Sequence, residues 1–213
     1  MRWTEFAVRE ARQTLKDWEA RVGTLQPPLA VEDLADLLYL LALDVTDDLP
    51  STLAGRLFAE QRIIEVRRND PPRRQRFTIA HEIGHYRLHV VAEQVQLVSY
   101  ACSEKMIVDS EGMEQSNVTL HEKPLPGFIV PSEPAGLQVS EQELRRREIE
   151  ANAFAAELLM PAELVEQAVD RYGKDVAGLA DHFEVSRQAM QYRLEKLLLL
   201  PRAGPQRSLF EAL

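Results

Sequence analysis

Two histidines four residues apart can reach one point when the chain between them is helical, because such residues lie one turn apart on one face. Residues 76–85, Arg76-Phe77-Thr78-Ile79-Ala80-His81-Glu82-Ile83-Gly84-His85, hold such a pair within the pattern H-E-x-x-H. That spacing suits two ligands of one metal ion, and the glutamate after the first histidine is placed to act on a water that the metal activates. The flanking residues favour the helix. Asn69-Asp70-Pro71-Pro72 offers a capping side chain followed by prolines, which a first helical turn tolerates. Phe77, Ala80, Gly84, Leu88 and Val91 recur at spacings of three and four, the stripe of a helix laid on a core. Gly84 costs such a helix about 1 kcal/mol relative to alanine, so its presence predicts a close approach to the backbone there.

The rest of the chain supplies the setting. Its 213 residues are enough for one domain plus a small appendage. Hydrophobic content of 45% and charged content of 28% are those of an ordinary globular protein. Cys102 is the only cysteine, which excludes an intrachain disulfide and fits a reducing compartment. The opening residues lack the apolar core of a signal peptide, and no apolar run has the length of a membrane span. A cytoplasmic location with no membrane partner is expected. The net charge of -9 argues against indiscriminate nucleic-acid binding, since phosphate is repelled by the average surface. Arg67, Arg68, Arg73, Arg74 and Arg76 still crowd the start of the motif helix. They read either as a solvated cluster or as a dock for an acidic feature of a substrate or partner.

Periodicity predicts helices over residues 4–22 and 31–41, and strands over 43–46, 52–59 and 62–67, with Glu60-Gln61 as a hairpin turn. Residues 93–140 are rich in proline and glycine, with short apolar runs at 95–98 and 127–130 that suit strands. The stretch reads as a long loop or insertion. Ser140-Glu141-Gln142-Glu143 carries the Ser-x-x-Glu pattern of a capping box, starting a helix that runs to 160 and stops at Pro161. A further helical region spans 161–200. Within it, 176–197 has the pattern of a helix-turn-helix, with Ser186 as a cap and Arg187, Gln188, Gln191 and Arg193 as its DNA-facing candidates. Acidic neighbours surround them, so a packing unit or a surface for a protein partner is the competing reading. The domain expectation is a catalytic domain over 1–165, a helix-turn-helix-like segment over 166–200 and a tail over 201–213.

A catalytic zinc takes three protein ligands and keeps one open position. The third-ligand candidates are Glu148, Glu150, His89, His121 and His182. His89 and His81 are two turns apart, about 12 Å of rise, so one straight helix cannot bring all three imidazoles to one ion. His89 therefore reads as a core residue or a support for a ligand. Glu148 and Glu150 lie about 160° apart on their helix, so only one of them can serve. The surrounding alanines let two helices approach closely.

The pairing of residues 76–89, Arg-Phe-Thr-Ile-Ala-His-Glu-Ile-Gly-His-Tyr-Arg-Leu-His, with residues 150–161, Glu-Ala-Asn-Ala-Phe-Ala-Ala-Glu-Leu-Leu-Met-Pro, resembles the ImmA/IrrE family of zinc metallopeptidases. The resemblance extends over roughly 30–200 and departs from the family in the long, proline-containing separation between the two motifs. It implies an α+β, zincin-like core of gluzincin type, with a small mostly antiparallel sheet on the motif helix and helix-turn-helix-like helices after it. It also implies one zinc per chain (or another divalent metal) held by His81, His85 and Glu150, with Glu82 as general base. The implied activity is that of an endopeptidase cleaving a DNA-binding repressor of the helix-turn-helix class, in a stress response or mobile-element control. The alternative is a DNA-binding or protein-binding regulator with a structural or vestigial metal site. Tyr86, Tyr100, Tyr172 and Tyr192 are equal candidates for assisting at an oxyanion.

Overall fold

The architecture is that of a computed structural model, which describes residues 3–91, 100–103 and 140–201. The 95–98 and 127–130 strand expectations, His121 and the tail beyond 201 lie outside the described residues. Among the described residues, seven α-helices and four strands are arranged as α1 (Trp3–Val22), α2 (Val31–Tyr39), β1 (Ala42–Thr46), β2 (Leu53–Phe58), β3 (Ile63–Arg67), α3 (Pro72–His85), β4 (Tyr100–Ser103), α4 (Glu141–Leu159), α5 (Ala162–Tyr172), α6 (Val176–Phe183) and α7 (Arg187–Lys196). A π-helical turn, Tyr86–Val91, extends α3. This is the expected α+β class. Among the described residues no helix is long and apolar enough to cross a membrane.

The sheet is mixed, in the order β1-β3-β2-β4, with β1 parallel to β3 and the other neighbours antiparallel. The β2–β3 hairpin lacks glycine or asparagine, and Arg62 supplies the left-handed residue instead, at φ 56°. Leu40 does the same at the end of α2, at φ 54°, which stops that helix before the expected residue 41.

α3 is the centre of the fold, packed against the sheet and against α4. Every residue from Phe77 to His85 is buried, so its apolar stripe is wider than the sequence pattern suggests. Val91, assigned to that stripe, is 42% exposed at the end of the π-helical turn. The start of α3 also differs from expectation. Pro71 occupies the N-cap position with no side-chain cap, and Asn69 instead donates from Nδ2 to Asp47 Oδ1 at 3.1 Å.

Gly84 has its close neighbour. A Cβ there would meet Ala151 Cα, Ala151 O and Phe154 Cδ1, each at 3.2 Å. α3 and α4 therefore cross with Gly84 against Ala151. Ser140 caps α4, its Oγ accepting from Glu143 N at 3.2 Å.

The helical region after Pro161 breaks into three helices. Asp175 caps α6, Glu184 turns the chain at φ 53°, and Ser186 caps α7 by accepting from Ala189 N at 3.0 Å. Leu179, Ala180, Phe183, Met190 and Leu194 enter the same hydrophobic core as α3 and α4. The arginines at the start of α3 help fasten this unit. Arg73 donates to Val185 O at 3.0 Å and to Asp181 Oδ1 at 2.6 Å, while Arg76 lies 3.5 Å from Glu184. Arg67 donates to Pro50 O and Ser51 O, Arg68 pairs with Asp47, and Arg74 pairs with Asp70. The basic cluster is thus neither simply solvated nor a vacant dock; it holds loops and helices of its own chain.

Candidate metal centre

Helical spacing on α3 and the crossing of α4 bring three ligand atoms together. His81 Nε2 and His85 Nε2 lie 2.9 Å apart. Glu148 reaches both, with Oε2 at 3.3 Å from His81 Nε2 and Oε1 at 3.2 Å from His85 Nε2. Ligand atoms around one tetrahedral zinc, each about 2.0–2.2 Å from it, are separated by about 3.3 Å. The two histidine–glutamate spacings match that edge length, and the histidine–histidine spacing is shorter than it. Both histidines are fully buried, and Glu148 is mostly so.

The carboxylate that converges with the two histidines is Glu148, whereas Glu150, the ligand the resemblance implies, faces His89. Glu150 Oε2 is 3.0 Å from His89 Nε2, one turn further along α3. The reason is the crossing point. Ala151 faces Gly84, and residues three before and one after it, Glu148 and Asn152, fall on the same flank of α4. Glu150 projects from a different side. His182 packs edge-on to Tyr172 at a centroid distance of 5.4 Å and takes no part.

The protonation states suit a divalent cation. Burial pushes His85 down to about 4, against the opposing pull of Glu148, so its imidazole is neutral at pH 7. Burial would raise the Glu148 carboxyl, but His85 and His81 outweigh it and hold the group below the usual carboxylate range. Two imidazole nitrogens and one carboxylate are a donor set that zinc accepts, and the metal would displace any proton held on them. The imidazoles are also oriented. His81 Nδ1 is 2.8 Å from Asn152 Oδ1, an oxygen that can only accept, which favours a proton on Nδ1 and turns Nε2 toward the position a metal would take.

Glu82 completes the site. Its carboxyl group is buried, and neither oxygen has a hydrogen-bond partner among the described residues. Burial, opposed by His81 and reinforced by Glu148, raises it to about 8. Two unpartnered buried oxygens beside three convergent ligand atoms are where a water and a metal ion would be accommodated, so the residues present fit the implied zinc. β2 makes room for this: a Cβ on Gly55 would lie 2.3 Å from Thr78 Cγ2 and 3.5 Å from Glu82 Oε1. Of the tyrosines, Tyr86 packs edge-on to Tyr39 and Tyr192 lies under Lys196, so neither is marked as an oxyanion partner.

Residues 43–105 and 136–195, more than half of the chain, match the IrrE N-terminal-like domain of the M78 peptidases. The chain belongs to this family. Family membership agrees with the resemblance drawn from the two motifs. No curated protein matches the sequence significantly. Among solved structures, a Mycobacterium tuberculosis transcriptional regulator shares the fold at a TM-score of 0.55 and 17% identity. The match covers 94% of this chain but only 48% of that one, so the chain spans about half the regulator's length.

The supports of the site were the less legible part. Asn152 carried no expectation, although its spacing of four from Glu148 places both on one face of α4. That spacing, taken with the Gly84–Ala151 approach, is the signal that distinguishes Glu148 from Glu150.

Proposed function

We propose that this chain is a zinc-dependent endopeptidase, with His81, His85 and Glu148 holding the metal and Glu82 moving the proton. The observation that carries the reading is the convergence of those three ligand atoms next to the unpartnered Glu82 carboxyl. Zinc held there would polarise a peptide carbonyl and acidify a water. Glu82 would take the proton from the attacking water and deliver it to the leaving amine. Asn152 keeps the His81 ring in the orientation that turns Nε2 toward His85 and Glu148.

The substrate in this reading is a DNA-binding repressor, cleaved in the cytoplasm to relieve repression. Family membership and a fold shared with a transcriptional regulator support a regulatory setting. The chain's own helix-turn-helix-like unit is better suited to packing than to reading DNA. Arg193, its central candidate contact, donates from Nε to Met160 O at 2.9 Å and pairs with buried Glu157. Gln191 donates to Glu195 at 3.0 Å on the exposed face, beside the exposed Arg187 and Gln188.

The test is Glu82→Gln, assayed for zinc content and for cleavage of a repressor encoded near the gene. Retained zinc with cleavage lowered by about 10²–10⁴-fold is expected. Unchanged cleavage would overturn the assignment of Glu82.

A further inference from the structure

The motif helix carries a third histidine that no metal-binding role uses. His89 is fully buried, and its two ring nitrogens face two different partners. Nδ1 lies 3.2 Å from His85 Nδ1, and Nε2 lies 3.0 Å from Glu150 Oε2. Arg146 Nε stands 3.7 Å from the other oxygen of Glu150. A carboxylate can only accept, so the His89 proton belongs on Nε2. Nδ1 of a neutral His89 is then an acceptor, which requires His85 to carry its proton on Nδ1. That places the lone pair of His85 on Nε2, the atom that faces His81 and Glu148, and the chain must outweigh Glu148 Oε1, which lies 3.2 Å away and would accept a proton from that nitrogen.

We propose that Glu150 and His89 are positioning residues: a Glu150–His89–His85 hydrogen-bond chain sets the tautomer of His85 and so prepares it to bind the metal. His81 Nδ1 instead faces Asn152 Oδ1. The two metal-facing histidines are therefore held by different devices, and the His85 device ends on a carboxylate. Partners of this kind commonly govern metal affinity by about 10–100-fold. The inference rests on the zinc-site reading, but its evidence can be separated from it.

The experiment uses the full chain and zinc alone. Affinity is measured by competition with a chromogenic chelator, and the histidine tautomers of the zinc-free protein are read by ¹⁵N–¹H NMR of the imidazoles. Wild-type protein should show His85 protonated on Nδ1 and His89 on Nε2. Glu150→Leu and His89→Phe should still take one zinc at saturation, bind it about 10–100-fold more weakly, and let His85 populate the Nε2-protonated form. Glu150→Gln, whose amide oxygen can still accept from His89, should recover most of the affinity. A buried hydrophobic replacement that merely loosened the fold would not produce that rescue or that tautomer change. If Glu150→Leu does not fold, His89→Phe and the wild-type tautomers carry the test. Affinity within about twofold of wild type in these variants, with the His85 tautomer unchanged, overturns the proposal. So does loss of all zinc in Glu150→Leu with zinc retained in Glu148→Gln, which would make Glu150 the ligand. Wild-type protein that binds no zinc overturns the peptidase reading instead, and the tautomer of His85 still decides the chain.

Discussion

Gly55→Ala is the substitution whose outcome the geometry constrains most tightly. The added methyl would sit 2.3 Å from Thr78 Cγ2 and 3.0 Å from Glu65 O. Neither neighbour yields easily: Thr78 is fully buried with a β-branched side chain on a helix, and Glu65 O belongs to the β3 ladder. Overpacking of this kind costs about 1–3 kcal/mol, and the severity of the clash places it at the upper end. Alanine recovers about 0.5–1 kcal/mol through the lower conformational freedom of the unfolded chain. The net expectation is a loss of about 2 kcal/mol. Thr78→Ser removes the clashing methyl. In the Thr78→Ser background the cost of Gly55→Ala should fall below about 1 kcal/mol, a coupling of about 1–2 kcal/mol between the two positions. Urea unfolding of the four proteins, followed by far-ultraviolet circular dichroism, measures the cycle. Gly55→Ala within about 0.5 kcal/mol of wild type, or equal costs in both backgrounds, would refute the claim that Gly55 makes the space beside Thr78 and Glu82.

Two further outcomes are expected. In the zinc-free protein the Glu82 carboxyl is raised to about 8, so between its unfolded value and that pH the folded state binds the extra proton. Stability should therefore fall as pH rises from about 5 to about 8, and Glu82→Gln should flatten that slope in pH-dependent urea titrations; an equal slope in both proteins would contradict the burial argument. Arg193→Ala leaves Glu157, whose side chain is 3% exposed, without its buried partner, although the exposed Arg12 still donates to it at 2.8 Å. A loss of about 3 kcal/mol is expected in thermal or urea unfolding, and a loss under about 0.5 kcal/mol would mean that α7 is not fastened to the core in this way.

Residues with a single geometric role were legible from sequence. His81, Glu82 and His85 are fixed by helical spacing alone, and the Gly84 close approach followed from a glycine in an otherwise apolar helix. Ser140 and Ser186 announced their helices because a hydroxyl before an open turn has one obvious use. Residues whose role depends on a second element were less legible. Choosing between Glu148 and Glu150 required the rotation of α4 about the Gly84–Ala151 crossing, which no one-dimensional pattern states. Asn69 read as a cap by local rules, but a tertiary partner, Asp47, took its side chain. Arg73 read as part of a surface cluster because its acceptors, Val185 O and Asp181, lie more than a hundred residues away.

The central claim is that His81, His85 and Glu148 hold one divalent metal. A crystal structure of the zinc-loaded protein, with diffraction measured on both sides of the zinc absorption edge, tests it most directly. The account predicts one anomalous peak per chain, about 2.0–2.2 Å from His81 Nε2, His85 Nε2 and a Glu148 carboxylate oxygen. A peak bonded to Glu150 in place of Glu148, or no peak between these residues at saturating zinc, would contradict it.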